Sequence, residues 1–215
     1  MAIDQLTART PHSRRERLRA LMREDILGAA RTIVLEEGYT GLSMRALGRA
    51  VGVTAPTLYD YFASKEAVLD ALHAEGVLLL TDAFQSAIAR GEPGMARLLA
   101  IGEAYRRFAL DHPDFFRLIF GHLDAAYKPG DKQIDHGSRI FDLVVDVVQE
   151  AMDRGELAPG DPRIAALTIW ALGHGCVMLE MLGMSQKCAP AGEVDSIYEH
   201  AFRRLFAGMQ IPEST

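Results

Sequence analysis

At 215 residues, 49% of them apolar, the chain has room for one large or two small domains with a real core, which excludes a disordered or low-complexity protein. Two cysteines form no disulfide framework and are expected as reduced thiols, and no apolar run is expected to reach the ~18 residues of a membrane span. The net charge of −6 is uneven: residues 1–65 hold ten Lys/Arg against seven Asp/Glu, the rest thirteen against twenty-two, a basic head on an acidic body that turns toward a polyanion.

The N-terminus has no signal-peptide core, so a cytosolic protein without membrane contact is expected. Ser13 and Glu16 form a capping box that opens a helix running to a stop at Gly38. Its basic residues Arg14, Arg15, Arg17 and Arg19 read equally as a solvated face or as phosphate contacts.

Residues 42–65, LSMRALGRAVGVTAPTLYDYFASK, are the most informative stretch. Ser43 is a good N-cap, Met44, Leu47 and Val51 have helical spacing, and Gly52 can take the positive φ that ends a helix. Thr54 then caps a second helix with Pro56 in its first turn, where a missing N–H costs nothing. Leu58 and Phe62 point back, and Gly48 leaves room at the crossing. Two helices joined by so short a turn make the DNA-reading hairpin, 43–62, with Thr54, Ala55, Thr57, Tyr59 and Tyr61 facing outward. The second helix carries Asp60 and no Lys or Arg, so phosphate affinity must come from Arg45, Arg49, Lys65 and the basic arm.

Residues 24–72, including ILGAARTIVLEEGYTGLSMRALGRAVGVTAPTLYDYFASKEAVLDAL, resemble the N-terminal domain of the TetR (tetracycline repressor) family. The resemblance implies an all-α fold with a basic arm at 1–19, a three-helix helix-turn-helix domain at 20–65, and a helical effector-binding and dimerisation domain at 66–215. It makes double-stranded operator DNA the partner, and Ser43, Arg45, Thr54, Ala55, Thr57, Tyr59, Tyr61 and Lys65 the candidate contacts. The plainer reading of Tyr59 and Tyr61 is that they pack the hairpin.

Beyond it every segment reads as helix. Ser64 caps a long helix with Leu69, Leu72, Leu79, Leu80, Phe84 and Ile88 that ends near Gly91. Glu92-Pro93 starts another, carrying Met95, Leu98, Gly102, Tyr105 and Ala109; Asp111 to Asp114 looks like a further capped start before the apolar FFRLIFG, closed by Gly121. Residues 122–138 read as the one long loop. A helix follows over 139–153 with Ile140, Val144, Val147, Val148 and Ala151 inward and Asp142, Asp146 and Glu150 outward. Asp161-Pro162 opens a helix to about Gly183, and the last helix spans 194–207.

In the helix after Asp161, Trp170, His174, Val177, Met178 and Met181 share one face. The string from Trp170 to His174 and Gly175, with HPDFFRLIFG, resembles the WHG-type C-terminal domain of some TetR-like regulators. That resemblance brings Tyr105, Phe108, Phe116, Phe120, Trp170, His174, Met178 and Met181 around one cavity for a small-molecule effector, lipophilic with a hydrogen-bonding or anionic group for His174. The plain alternative for His174 is a satisfied core histidine. Ala165, Ile169, Leu172, Cys176 and Leu179 on this helix, with Ile197, Ala201 and Leu205 on the last, are expected to supply a homodimer interface, as pairing through the last two helices is what the family resemblance implies. No cofactor or metal is expected, since the histidines are scattered and His174 and Cys176 fall on different faces. An enzyme would need a nucleophile elbow, a phosphate-cradling loop or paired acid and base, none of which is legible; a helical scaffold that has lost DNA binding is the other alternative.

Overall fold

The computed structural model describes residues 14–120, 131–188 and 194–210, with the side chains of 131–136 and 194–196 outside the described set. Among the described residues there are ten helices and no strand. The chain divides into two compact units, Met1–Ala71 and Leu72–Thr215, and the division falls inside one helix.

In the first unit α1 (Arg14–Gly41) is broken at Gly38, whose φ of 71° and ψ of −174° reverse the helix where a stop was expected. The expected cap, Ser13, lies outside the described residues. Ser43 Oγ accepts from the Ala46 N–H at 3.1 Å and starts α2 (Met44–Val51), which Gly52 closes at φ 72°. Thr54 caps α3 (Ala55–Tyr59), a shorter second helix than the expected run to Phe62; the chain leaves it through a turn in which Tyr61 and Phe62 N–H groups both donate to the Leu58 carbonyl. Ile26, Ala30, Leu47 and Leu58 are fully enclosed and lock α1, α2 and α3 together.

The Val53 N–H donates to the Gly48 carbonyl at 2.9 Å, and a Cβ on Gly48 would stand 2.8 Å from the Val53 carbonyl oxygen. Alanine at 48 would gain about 1 kcal/mol in helix propensity. Forcing backbone apart costs more, about 1–3 kcal/mol. Gly48→Ala is therefore expected to lower the urea midpoint and to weaken DNA binding; a raised midpoint would show that the turn relaxes freely.

Ser64 caps α4 (Lys65–Arg90) by accepting from the Ala67 N–H at 3.3 Å. The second unit builds on Leu72 onward. Gly94, at φ 88°, precedes α5 (Met95–Asp111), and its cap comes from afar: Glu156 Oε2 accepts from the Met95 N–H at 2.6 Å. Pro113 begins α6 (Pro113–Phe120), which buries Phe115, Phe116 and Leu118 while Arg117 stays exposed. The closing Gly121 and residues 122–130 of the expected loop lie outside the described residues.

Helix α7 (Asp131–Asp153) starts eight residues before the expected Arg139. Gly137 does not stop it, because an interior glycine weakens a helix without ending one. Its inward residues are as expected except that Glu150 turns to Arg97, which grips both its carboxylate oxygens at 2.9 and 3.0 Å. Asp161 accepts from the Arg163 and Ile164 N–H groups to start α8 (Pro162–Met181), and α8 packs mainly on α7 and on α10 (Val194–Met209). A short α9 (Met184–Cys188) stands where a loop was expected.

Contrary to the expectation, α8 is long and apolar enough to cross a membrane by length and composition. Its apolar residues are split between an inner face, where Ala166, Ile169, Gly173 and Val177 are buried, and an outer one.

Candidate functional site

The reading hairpin leaves Thr54, Pro56, Tyr59 and Asp60 exposed, Tyr59 at 55%, and Ala55, Thr57 and Tyr61 half-buried. Thr54 and Thr57 are joined through their hydroxyls at 2.9 Å, which holds the first turn of α3. Ser43 and Arg45 are exposed at the start of α2. These residues lie on α2, α3 and their flanking turns, each at least partly open to solvent.

Two cationic side chains do something the sequence reading missed. Lys65, read as a free phosphate ligand, donates from Nζ to the Tyr39 carbonyl at 2.8 Å and lies 4.0 Å above the Tyr39 ring. It is a strut between the start of α4 and the turn after Gly38. Arg19 donates to the Asp60 carbonyl at 2.7 Å and lies 5.4 Å from the Tyr61 ring centre, so it supplies the cation that the C-terminal end of α3 lacks. Arg23 stacks 4.2 Å over Phe62. Arg14, Arg15 and Arg17 remain exposed.

The second unit holds a cavity of about 450 Å³, partly open to solvent, between α4, α5, α6, α7, α8 and α10. Of the eight residues expected there, Tyr105, Phe120 and Trp170 line it. Phe108, Phe116, His174, Met178 and Met181 do not. Phe116 stands behind the wall, 5.6 Å from Tyr105 and stacked on His174 at 5.6 Å, while Phe108 packs against His112. His174 stands off the wall but against it, its ring 5.6 Å from Phe120 and its Nδ1 2.7 Å from the Tyr105 hydroxyl, and burial lowers its pKa below the usual histidine value.

The wall also uses Phe84 on α4, read only as part of a helical stripe, and residues not assigned to it from the sequence: Phe141 on α7, Tyr198 and Phe202 on α10. Their helical stripes were legible, but not that they meet. Gly173 matters here, since a Cβ on it would come within 3.0 Å of Phe202 Cζ. Gly175, two residues on, has nothing within 4 Å. Tyr198 donates to the Gly102 carbonyl at 2.8 Å, and burial pushes both the Tyr105 and Tyr198 phenols well up.

On α8 the residues expected at a dimer interface do not share one outward face: Leu179 is exposed and the others turn inward to different degrees. Ile169 is 6% exposed and lines the cavity, and Ala165, Leu172 and Cys176 are half-buried within the chain. The outward apolar stripe is Ile164, Leu167, Ala171, Gly175, Leu179 and Leu182, about a quarter-turn round the helix. The cause is the pair of neighbours, α7 and α10, which take the face containing Ile169. Ile197, Ala201 and Leu205 on α10 are half-buried.

The chain matches bacterial regulatory proteins of the tetR family over residues 26–72, and the tetracyclin repressor-like C-terminal domain over residues 98–205. It is 29% identical over 197 residues to an HTH-type transcriptional regulator of Mycobacterium tuberculosis, covering 88% of this chain and 82% of that protein. With the class D tetracycline repressor of Escherichia coli it shares 33% identity over 115 residues, 54% of this chain and 50% of the repressor. A solved structure from Rhodococcus sp. RHA1, of unknown function, superposes with a TM-score of 0.77 at 31% identity, covering 94% of this chain and 99% of its own.

Proposed function

The chain belongs to the TetR family of DNA-binding transcriptional regulators, and from that premise we propose that it is a ligand-responsive repressor, binding a palindromic operator as a homodimer and released by a lipophilic small molecule. The family's members are regulators and not enzymes. The observation that carries the finer reading is that α4 runs unbroken from Lys65 at the reading hairpin to Val77, Leu80 and Phe84 on the cavity wall. A molecule that spreads this wall displaces α4 and thereby the spacing of two recognition helices. Both heads must fit one duplex, so a shift of a few ångströms weakens binding without unfolding either. A cytoplasmic location follows from the need to reach DNA.

On this reading the operator is contacted by Arg45, Thr54, Ala55, Thr57, Tyr59 and Tyr61, with Ser43 at the start of α2. The test is a gel shift on the DNA upstream of its own gene, repeated with apolar compounds. Retarded DNA that apolar compounds release supports the reading; no retardation rejects it. Thr57→Ala and Tyr59→Phe are expected to change the ranking of operator variants by about 1–3 kcal/mol each where they meet base edges. Equal losses on every sequence would assign them to the backbone. Lys65→Ala, by contrast, is expected to weaken all binding through the lost strut to Tyr39, with little change in salt dependence. A slope reduced by about one counterion per subunit would return Lys65 to the phosphates.

A further inference from the structure

Among the described residues, those that line the cavity include no Lys, Arg, Asp or Glu; side-chain polar atoms come from His73, Tyr105, Ser138, Trp170 and Tyr198. Most are already engaged. Tyr198 gives its proton to the Gly102 carbonyl, and Trp170 Nε1 donates to the Tyr105 oxygen at 3.3 Å. An indole N–H can only donate, so the Tyr105 oxygen is the acceptor there. The Tyr105 proton then goes to His174 Nδ1 or, when that nitrogen carries its own hydrogen, is free for a group in the cavity. Tyr105 is thus one hydroxyl that can present either a donor or an acceptor.

Among the described residues, the Lys and Arg side chains near the wall offer an anion nothing. Arg106, next to Tyr105 in sequence, is closed on both carboxylate oxygens of Glu180 at 2.6 and 2.9 Å. Burial favours the neutral form of the His174 ring, which in any case stands behind Tyr105 and off the wall. A carboxylate entering this space would shed its water and, among the described residues, find no Lys or Arg in exchange; the one imidazole on the wall is the buried His73. A hydroxyl or carbonyl needs one partner, and Tyr105 is that partner.

Resting on the reading of this cavity as the effector site, we propose that it selects an uncharged, largely apolar molecule whose single hydroxyl or carbonyl docks on Tyr105, held between Trp170 and His174, and rejects the matching carboxylate. This replaces the anionic group expected for His174 from the sequence. It also narrows the effector class to neutral alcohols, esters, ketones and amides with a bulk that fits about 450 Å³.

The test titrates the full chain at pH 7.5 with decan-1-ol, methyl decanoate and decanoate, by calorimetry and by the emission of Trp170, the single tryptophan. The alcohol and the ester are expected to bind at least about tenfold more tightly than decanoate. Tyr105→Phe is expected to remove about tenfold of that affinity for the alcohol and ester and to leave decanoate unchanged. The charge selection is read on the unmodified protein, so it does not depend on a variant folding. Decanoate binding as tightly as the neutral compounds would overturn the selection while leaving the effector site standing. Unchanged alcohol and ester affinity in a folded Tyr105→Phe protein would overturn the docking at Tyr105. If none of the three binds and Trp170 emission stays constant, the selection and the effector-site reading both fall.

Discussion

Arg106→Met is expected to destabilise the fold by about 3–5 kcal/mol, because it strands Glu180 in a place where water scarcely reaches it. The two side chains are 14% and 12% exposed and form a two-pronged ion pair that ties α5 to α8. Beside Glu180 is Cys176, whose thiol is pushed up in pKa first by burial and then by this carboxylate, while the Tyr198 ring lies 5.9 Å from the Arg106 guanidinium. Neither supplies a positive charge. The attraction within such a pair roughly offsets the loss of hydration of its members, so removing both should cost far less than removing one. Urea unfolding of Arg106→Met and of Arg106→Met with Glu180→Leu measures this directly. A single-variant loss below about 1 kcal/mol would place the pair with exposed ones, already screened by solvent.

Leu167→Arg is expected to turn a dimer into monomers and to lower operator affinity by about 100-fold or more, since two linked heads gain about 10²–10⁴ over one. Ile164, Leu167, Leu179 and Leu182 are 66%, 53%, 51% and 65% exposed on one stripe of α8, a run of large apolar side chains that a monomer seldom leaves in water. In the proposed homodimer, two-fold pairing would lay this stripe against its own copy, where two arginines would meet without a counter-charge. Leu167 already projects outward, so the monomer itself should stay folded. Sedimentation and gel shifts give the two readouts. A DNA-binding dimer that persists with Leu167→Arg would discard the α8 stripe and leave the edge of α10 around Ala201, for which Ala201→Arg is the corresponding variant.

The reading hairpin was legible almost residue by residue because its signals are short-range. The caps at Ser43, Thr54, Ser64 and Asp161 act on N–H groups two or three residues away, and Gly38 and Gly52 act through their own φ. The start of α7 was missed for the opposite reason: Gly137 and the polar residues before it look like a loop to any local rule, and the helix runs through them. The cavity was half legible. Tyr105, Phe120 and Trp170 are on its wall, but His174 stands off it, hydrogen-bonded to Tyr105 sixty-nine residues away in the chain.

Composition and spacing by themselves determined that this chain is helical, that it carries a DNA-reading hairpin on a basic head, and that its second part is rich in aromatic stripes. Tertiary structure alone decided which way those stripes face. Helical α8 is apolar on both its inner and outer sides, so periodicity gives the stripes without saying which one α7 and α10 will cover. It likewise decided what the cations do: Arg19 and Lys65 meet carbonyls forty-one and twenty-six residues distant, and a long, flexible side chain carries no local mark of the partner that folding will bring to it.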